Sequence, residues 1–184
     1  MIGSLIGIPL GLLACNASEW LIHKYVLHGR GRDRKSFWNF HLDEHHVAAL
    51  RTRGRDPAYE QSPFQWNAQG RELLGLVLLT VPVAALFPVA PVFAGTLVYG
   101  GLNYYRCHRR AHLDPAWARE KLPWHYDHHM GPDQEANWCV TRPWFDQLLG
   151  TRRPYVGTEA EARNDARRER IRAARDSVNA SSVS

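Results

Sequence analysis

LLGLVLLTVPVAALFPVAPVFAGTLVYGGLNYY, residues Leu73–Tyr105, carries no charged side chain. A helix that crosses a bilayer needs about 20 apolar residues, so this stretch is too long for one span and short for two full ones. Pro82, Pro88 and Pro91 fall near its middle, and an internal proline removes a backbone donor and clashes with the preceding turn. The stretch therefore reads as a helical hairpin turning at about Phe87–Pro91, its outer ends extending past the bilayer. Arg71 stands before it and Arg106, Arg109 and Arg110 after it, whereas the turn has no basic residue. Lysine and arginine accumulate in cytoplasmic loops, which puts both ends of the hairpin on the cytoplasmic side.

Upstream, residues 1–18 (MIGSLIGIPLGLLACNAS) are also uncharged, and Glu19 is the first charged side chain. No basic segment precedes this run, so it does not read as a cleaved signal peptide. Continued through Trp20 and Ile22 it is long enough to span, with Trp20 at the interface and Lys24 beyond it. Glu19 then has to sit near the interface or face a polar partner. The expected fold is an all-α integral membrane protein of about three spans. One N-terminal helix and the hairpin carry a cytoplasmic, His-rich helical cap, and the N-terminus lies outside. Residues 1–155 make the membrane-embedded domain, and residues 156–184 a polar, flexible C-terminal tail.

Composition narrows the function. The chain has 184 residues, enough for one domain without a separate reductase module. Its net charge of +5 and pI near 9.4 lie in Gly29–Arg55 and after Arg106, flanking the apolar segments. A nucleic-acid surface would gather that charge and interleave it with aromatics, so no nucleic-acid partner is expected. Cys15, Cys107 and Cys139 show no paired spacing. That argues against a disulfide framework or a thiolate metal site and for a reducing compartment.

The ten histidines fall into four clusters and nowhere else. His23 and His28 lie in HKYVLH; His41, His45 and His46 in HLDEHH; His108 and His112 in HRRAH; His125, His128 and His129 in HYDHH. At about 100° per residue, His108 and His112 share one face of an α-helix. So do His41 and His45, with His46 turned further round, while His125, His128 and His129 occupy one sector. His23 and His28, five residues apart, point about 140° apart on a regular α-helix and need a helix end, a kink or two separate metals. Imidazole suits iron, zinc, copper and nickel, and ten ligands exceed the needs of one ion, so two ions are expected. All four clusters reach the same membrane face, where a site could receive an acyl chain from the lipid.

This arrangement resembles the fatty acid hydroxylase / sterol desaturase superfamily of membrane di-iron proteins. The resemblance covers roughly Glu19–Tyr155. PWHYDHHMGPDQEANWCVTRPWFDQLLGT, Pro123–Thr151, is similar to bacterial members, and the ten-histidine pattern to the fatty acid 2-hydroxylase branch. The resemblance implies that all ten histidines bind two iron ions, with zinc as a substitute in purified material. It also implies that O2 and two electrons from a separate donor protein oxidise an unactivated C–H bond of a membrane lipid. No catalytic residue is expected beyond the ligands. Asp43, Glu44, Asp114, Asp127 and Asn137 are candidates for orienting the imidazoles by their nearness in sequence, and Trp138, Trp144 and Phe145 for interfacial anchoring. A carotenoid or sterol hydroxylase or desaturase of the same superfamily is the second reading, and a non-catalytic metal-binding membrane protein the third.

Overall fold

The structure is a computed structural model describing residues 2–181, with side chains described for residues 6–178. Among these residues the fold is all-α. The eight α-helices are α1 (Ile2–Leu21), α2 (Val47–Arg51), α3 (Ala68–Thr80), α4 (Pro91–Leu113), α5 (Pro115–Lys121), α6 (Pro123–Met130), α7 (Trp144–Leu148) and α8 (Glu159–Ser181).

The apolar stretch folds as two helices. Asn67 starts α3 by accepting the Gly70 N–H at 3.0 Å, which satisfies one of the free donors of the first turn. Beyond Thr80 the helix tightens into a 3-10 segment, Val81–Leu86, around Pro82. The chain then turns over residues 87–90 and restarts at Pro91, the first residue of α4, where a proline's missing N–H costs nothing. Ala68–Leu86 is the one helical segment among the described residues long and apolar enough to cross a membrane. In α4 the apolar run ends at Tyr105, and Arg106, Arg109 and Arg110 lift its last turns out of any apolar layer.

α1 lies along α4. Gly11 faces Thr96, and Gly100 faces Cys15, so closely that a Cβ on either glycine would collide with the partner helix. Small residues of this kind let helix backbones approach where water supplies no driving force. The outward faces of α1, α3 and α4 stay apolar: Leu10 and Leu13 on α1, Val77 and Leu78 on α3, Leu102 on α4 are all exposed.

The chain after α6 folds back as a strap over α1. Glu19 is buried and accepts hydrogen bonds from the Val140 and Thr141 N–H groups, both at 2.9 Å, and from the Thr141 hydroxyl at 2.5 Å. The polar partner that its position required is this strap. Asn16 joins it through the Arg142 carbonyl at 2.7 Å, and Trp20 through the Thr151 hydroxyl at 2.9 Å. α8 is tied down at its start by a bidentate Arg119–Glu161 pair at 2.8 and 2.9 Å and by Asn164 donating to Tyr155. Residues 182–184, the end of the tail expected to be flexible, lie outside the described residues.

Candidate metal centre

Two π-helical segments carry half of the histidines. Ile22–Gly29 holds His23 and His28, and His41–His46 holds His41, His45 and His46. In a π-helix each N–H reaches the carbonyl five residues back, so residues i and i+5 stack on one face. This corrects the α-helical reading at two points. His23 and His28 converge without a helix end between them. His41 shares a metal group with His46, while His45, its ring 5.3 Å from that of His41, belongs to the other group. π segments inside helices often mark functional sites, and here they do what an α-helix cannot.

The result is two groups of imidazoles able to hold a metal ion: His23, His28, His41, His46 and His128 in one, and His45, His108, His112 and His129 in the other. Within each group the ligand atoms lie within 4.8 Å of one another, and all nine residues are buried. α6 stands between the groups and gives His128 to the first and His129 to the second. His125 lies outside both sets, although its Nε2 is 3.1 Å from that of His112.

The outer nitrogens fix the tautomers. His23 Nδ1 donates to the Trp138 carbonyl at 2.6 Å, His128 Nδ1 to the Ala136 carbonyl at 2.7 Å and His112 Nδ1 to the Gly54 carbonyl at 2.7 Å. A carbonyl can only accept, so each of these rings carries its proton on Nδ1 and turns a bare Nε2 lone pair inward. His28, His45 and His108 face carboxylates in the same way: Glu135 at 3.1 Å, Asp56 at 2.7 Å and Glu72 at 2.5 Å. The bare nitrogens then crowd together. His46 Nε2 lies 3.2, 3.2 and 3.1 Å from those of His28, His41 and His128, and His23 Nε2 lies 3.0 Å from that of His41.

Converging lone pairs cannot all hydrogen-bond to one another; a cation satisfies them together. Two nitrogens bound at right angles to one ion, each about 2.1 Å from it, stand about 3.0 Å apart, against about 3.4 Å for tetrahedral angles. The spacings of 3.0 to 3.2 Å between these nitrogens are of that order. In the second group His45 Nε2, His108 Nε2 and both nitrogens of His129 are buried without a hydrogen-bond partner, a costly state that an ion bound by His45, His108 and one nitrogen of His129 would relieve in large part. The residues present therefore fit two metal ions.

Electrostatics agrees. Burial, reinforced by neighbouring imidazoles, holds His41, His46, His125 and His129 well below the usual histidine pKa. For His23, His112 and His128 burial lowers the pKa in the same way, with the carbonyl bonds opposing it. His28 is pushed down to about 2 by burial, then by His128 and Arg32. His45 is lowered by burial against the opposing pull of Asp56. Neutral imidazole is the ligand form.

None of the five residues proposed from sequence to orient the imidazoles hydrogen-bonds a histidine ring among the described residues. Asp43 is exposed. Glu44 pairs with Arg71, and Asp114 caps α5 through the Trp117 N–H at 3.0 Å. Asp127 and Asn137 pin the strap, Asp127 through Val156 N–H and Arg152, Asn137 through Arg153. Trp138 is no interfacial anchor either: it is fully buried, its ring 4.8 Å from that of His28 and 5.6 Å from that of His23. The carboxylates that do reach imidazoles are Asp56, Glu72 and Glu135. Glu72 had a signal of its own, an acid at the head of an apolar span.

An apolar cavity of about 230 Å³ opens onto the site. His23, His41 and His108 line it together with Leu76, Leu79, Val83 and Leu97. A family model described as fatty acid hydroxylase matches residues 8–151. The chain belongs to the fatty acid hydroxylase family. Membership, with the two histidine groups, implies a di-iron oxidoreductase of a membrane-bound family. No curated protein and no solved structure matches the chain.

Proposed function

We propose that this fatty acid hydroxylase family member is a di-iron enzyme that hydroxylates a fatty acyl chain in the membrane, and that it stands nearest to the 2-hydroxylase branch. The observation that carries this reading is the cavity: an apolar channel between membrane-type helices reaches histidines of both metal groups. Along α4 it runs from His108 to Leu97, about 16 Å at the rise of an α-helix. A slot of that length and lining receives an extended hydrocarbon chain.

All ten histidines act as ligands in this proposal, His125 joining the second group beside His112. Iron held there supplies the redox chemistry by which O2, two electrons and two protons turn a C–H bond into C–OH with release of one water. The chain's own residues do the rest. The Nδ1 bonds hold the rings of His23, His28, His45, His108, His112 and His128 at their angles, Trp138 seals the back of the first group, and the cavity walls exclude water and align the chain. The electrons come from a separate donor protein. The exposed apolar faces of α1, α3 and α4 support three spans, and the basic residues on both flanks of the hairpin support a cytoplasmic active site with the N-terminus outside.

Expression with iron and a competent reductase, followed by lipid mass spectrometry, tests the proposal. A gain of one oxygen on acyl chains supports it; unaltered acyl lipids beside oxidised carotenoid or sterol would move the substrate, and no oxidised lipid from iron-loaded protein would overturn it.

A further inference from the structure

The two histidine groups are backed by different chemistry. Behind the five-histidine group stand two backbone carbonyls, of Trp138 and Ala136, and the carboxylate of Glu135. Glu135 is 53% exposed and shared with Arg32 at 2.9 Å, so water and a guanidinium screen its charge. Behind the four-histidine group stand two buried carboxylates. Asp56, 3% exposed, takes the His45 proton bond at 2.7 Å; Glu72, 9% exposed, takes that of His108 at 2.5 Å.

Neither acid is neutralised by a cation among the described residues. Asp56 is held by its imidazole and by the Ala58 N–H at 2.9 Å. Glu72 is held by its imidazole and by the Tyr59 hydroxyl at 2.5 Å, itself 3.1 Å from His108 Nδ1. Tyr59 stacks on His112 as well, ring centroids 5.5 Å apart. A buried carboxylate on the far nitrogen draws the N–H proton toward itself and makes the ring a stronger donor at its other nitrogen. It also places a full negative charge about one ring's width from the ion, where little water screens it.

Resting on the two-ion reading above, we infer that Asp56 and Glu72 are positioning residues that make the two sites unequal, so that the four-histidine group holds its ion more tightly and in more electron-rich surroundings than the five-histidine group. Ligand count does not separate the groups, since each has five imidazoles once His125 joins the second. The charge behind the rings does.

The test uses the full chain loaded anaerobically with iron-57(II) and read by Mössbauer spectroscopy and by competition with a chelator. The wild type should show two quadrupole doublets of equal area, with one ion leaving to the chelator before the other. Asp56→Asn and Glu72→Gln should each shift one doublet and weaken the tighter ion by about 10- to 100-fold, while Glu135→Gln leaves that ion and its doublet unchanged. Glu72→Gln keeps the hydrogen bond to Tyr59, so loss of shape alone does not account for a shift. If that variant fails to fold, Asp56→Asn decides alone. Equal loss of both ions from the wild type, or variants that weaken only the looser ion, would overturn the inference. Binding of fewer than two ions would overturn the two-ion reading along with it.

Discussion

The five-histidine and four-histidine groups differ less in their rings than in what stands behind them. The first is assembled by π-helices and backed mainly by the strap, whose Trp138 and Ala136 carbonyls orient His23 and His128. The second takes His45 from the π-helix His41–His46 and its other rings from α4 and α6, and is backed mainly by side chains from the 56–72 segment. One is a site of backbone geometry with an edge open to water at Glu135. The other is a site of buried charge. A single cavity touches both, with His23 and His41 from one and His108 from the other, so the difference is presented to one substrate.

Substitutions at the hub of each group separate them most sharply. His46→Ala removes the ring whose Nε2 neighbours three others; it should abolish activity and lower the metal content from two ions to one. His45→Ala should do the same for the other group, and elemental analysis of the purified variants checks both. Retention of both ions in either variant would break the division into two groups.

Acid should act next most strongly, on the metal-free chain. Nine of the histidines have folded pKa values below the usual 6.5. Their stabilising contribution is complete above about pH 6.5. It is lost as pH falls below that value, because the unfolded chain then binds protons that the buried rings refuse, at up to about 1.4 kcal/mol per pH unit for each ring. The Tm of the metal-free protein should therefore drop steeply between about pH 7 and pH 5. Thermal scans across that range check it, and a flat profile would show that the imidazoles are not held neutral.

The apolar cavity gives a smaller, more selective effect. Gly101 lines it, and a Cβ there would meet only the Thr80 hydroxyl, at 3.5 Å. Gly101→Leu should narrow the channel about 10 Å from His108 along α4 and shift product toward shorter acyl chains, with metal content unchanged. Lipid profiling of the variant checks this. The mildest change expected is Glu135→Gln, which should loosen only the ion of the five-histidine group, by less than about tenfold, since its charge is already screened.

The hairpin and the histidine clusters were legible in the sequence because both are local patterns. The prolines placed the turn, and the absence of any histidine outside the four clusters pointed to a metal site. What the α-helical period hid was the pairing: on a π-helix His41 belongs with His46, and His23 with His28. The backing of the rings was hidden for another reason. Glu72 meets His108 and Glu135 meets His28 across long separations in the chain, whereas Asp43, Glu44 and Asp127 were favoured for nearness in sequence, and Asp43 is exposed while Glu44 serves an ion pair and Asp127 the strap. Periodicity reports the face of one helix, and it is silent on which loop will close over that face.

The most direct test of the central claim is isotopic. Iron-loaded enzyme in lipid vesicles, supplied with a reductant and 18O2, should place one 18O atom on an acyl chain for each turnover, and His46→Ala should place none. Product oxygen drawn from water, or the same labelling by the His46→Ala variant, would contradict the account.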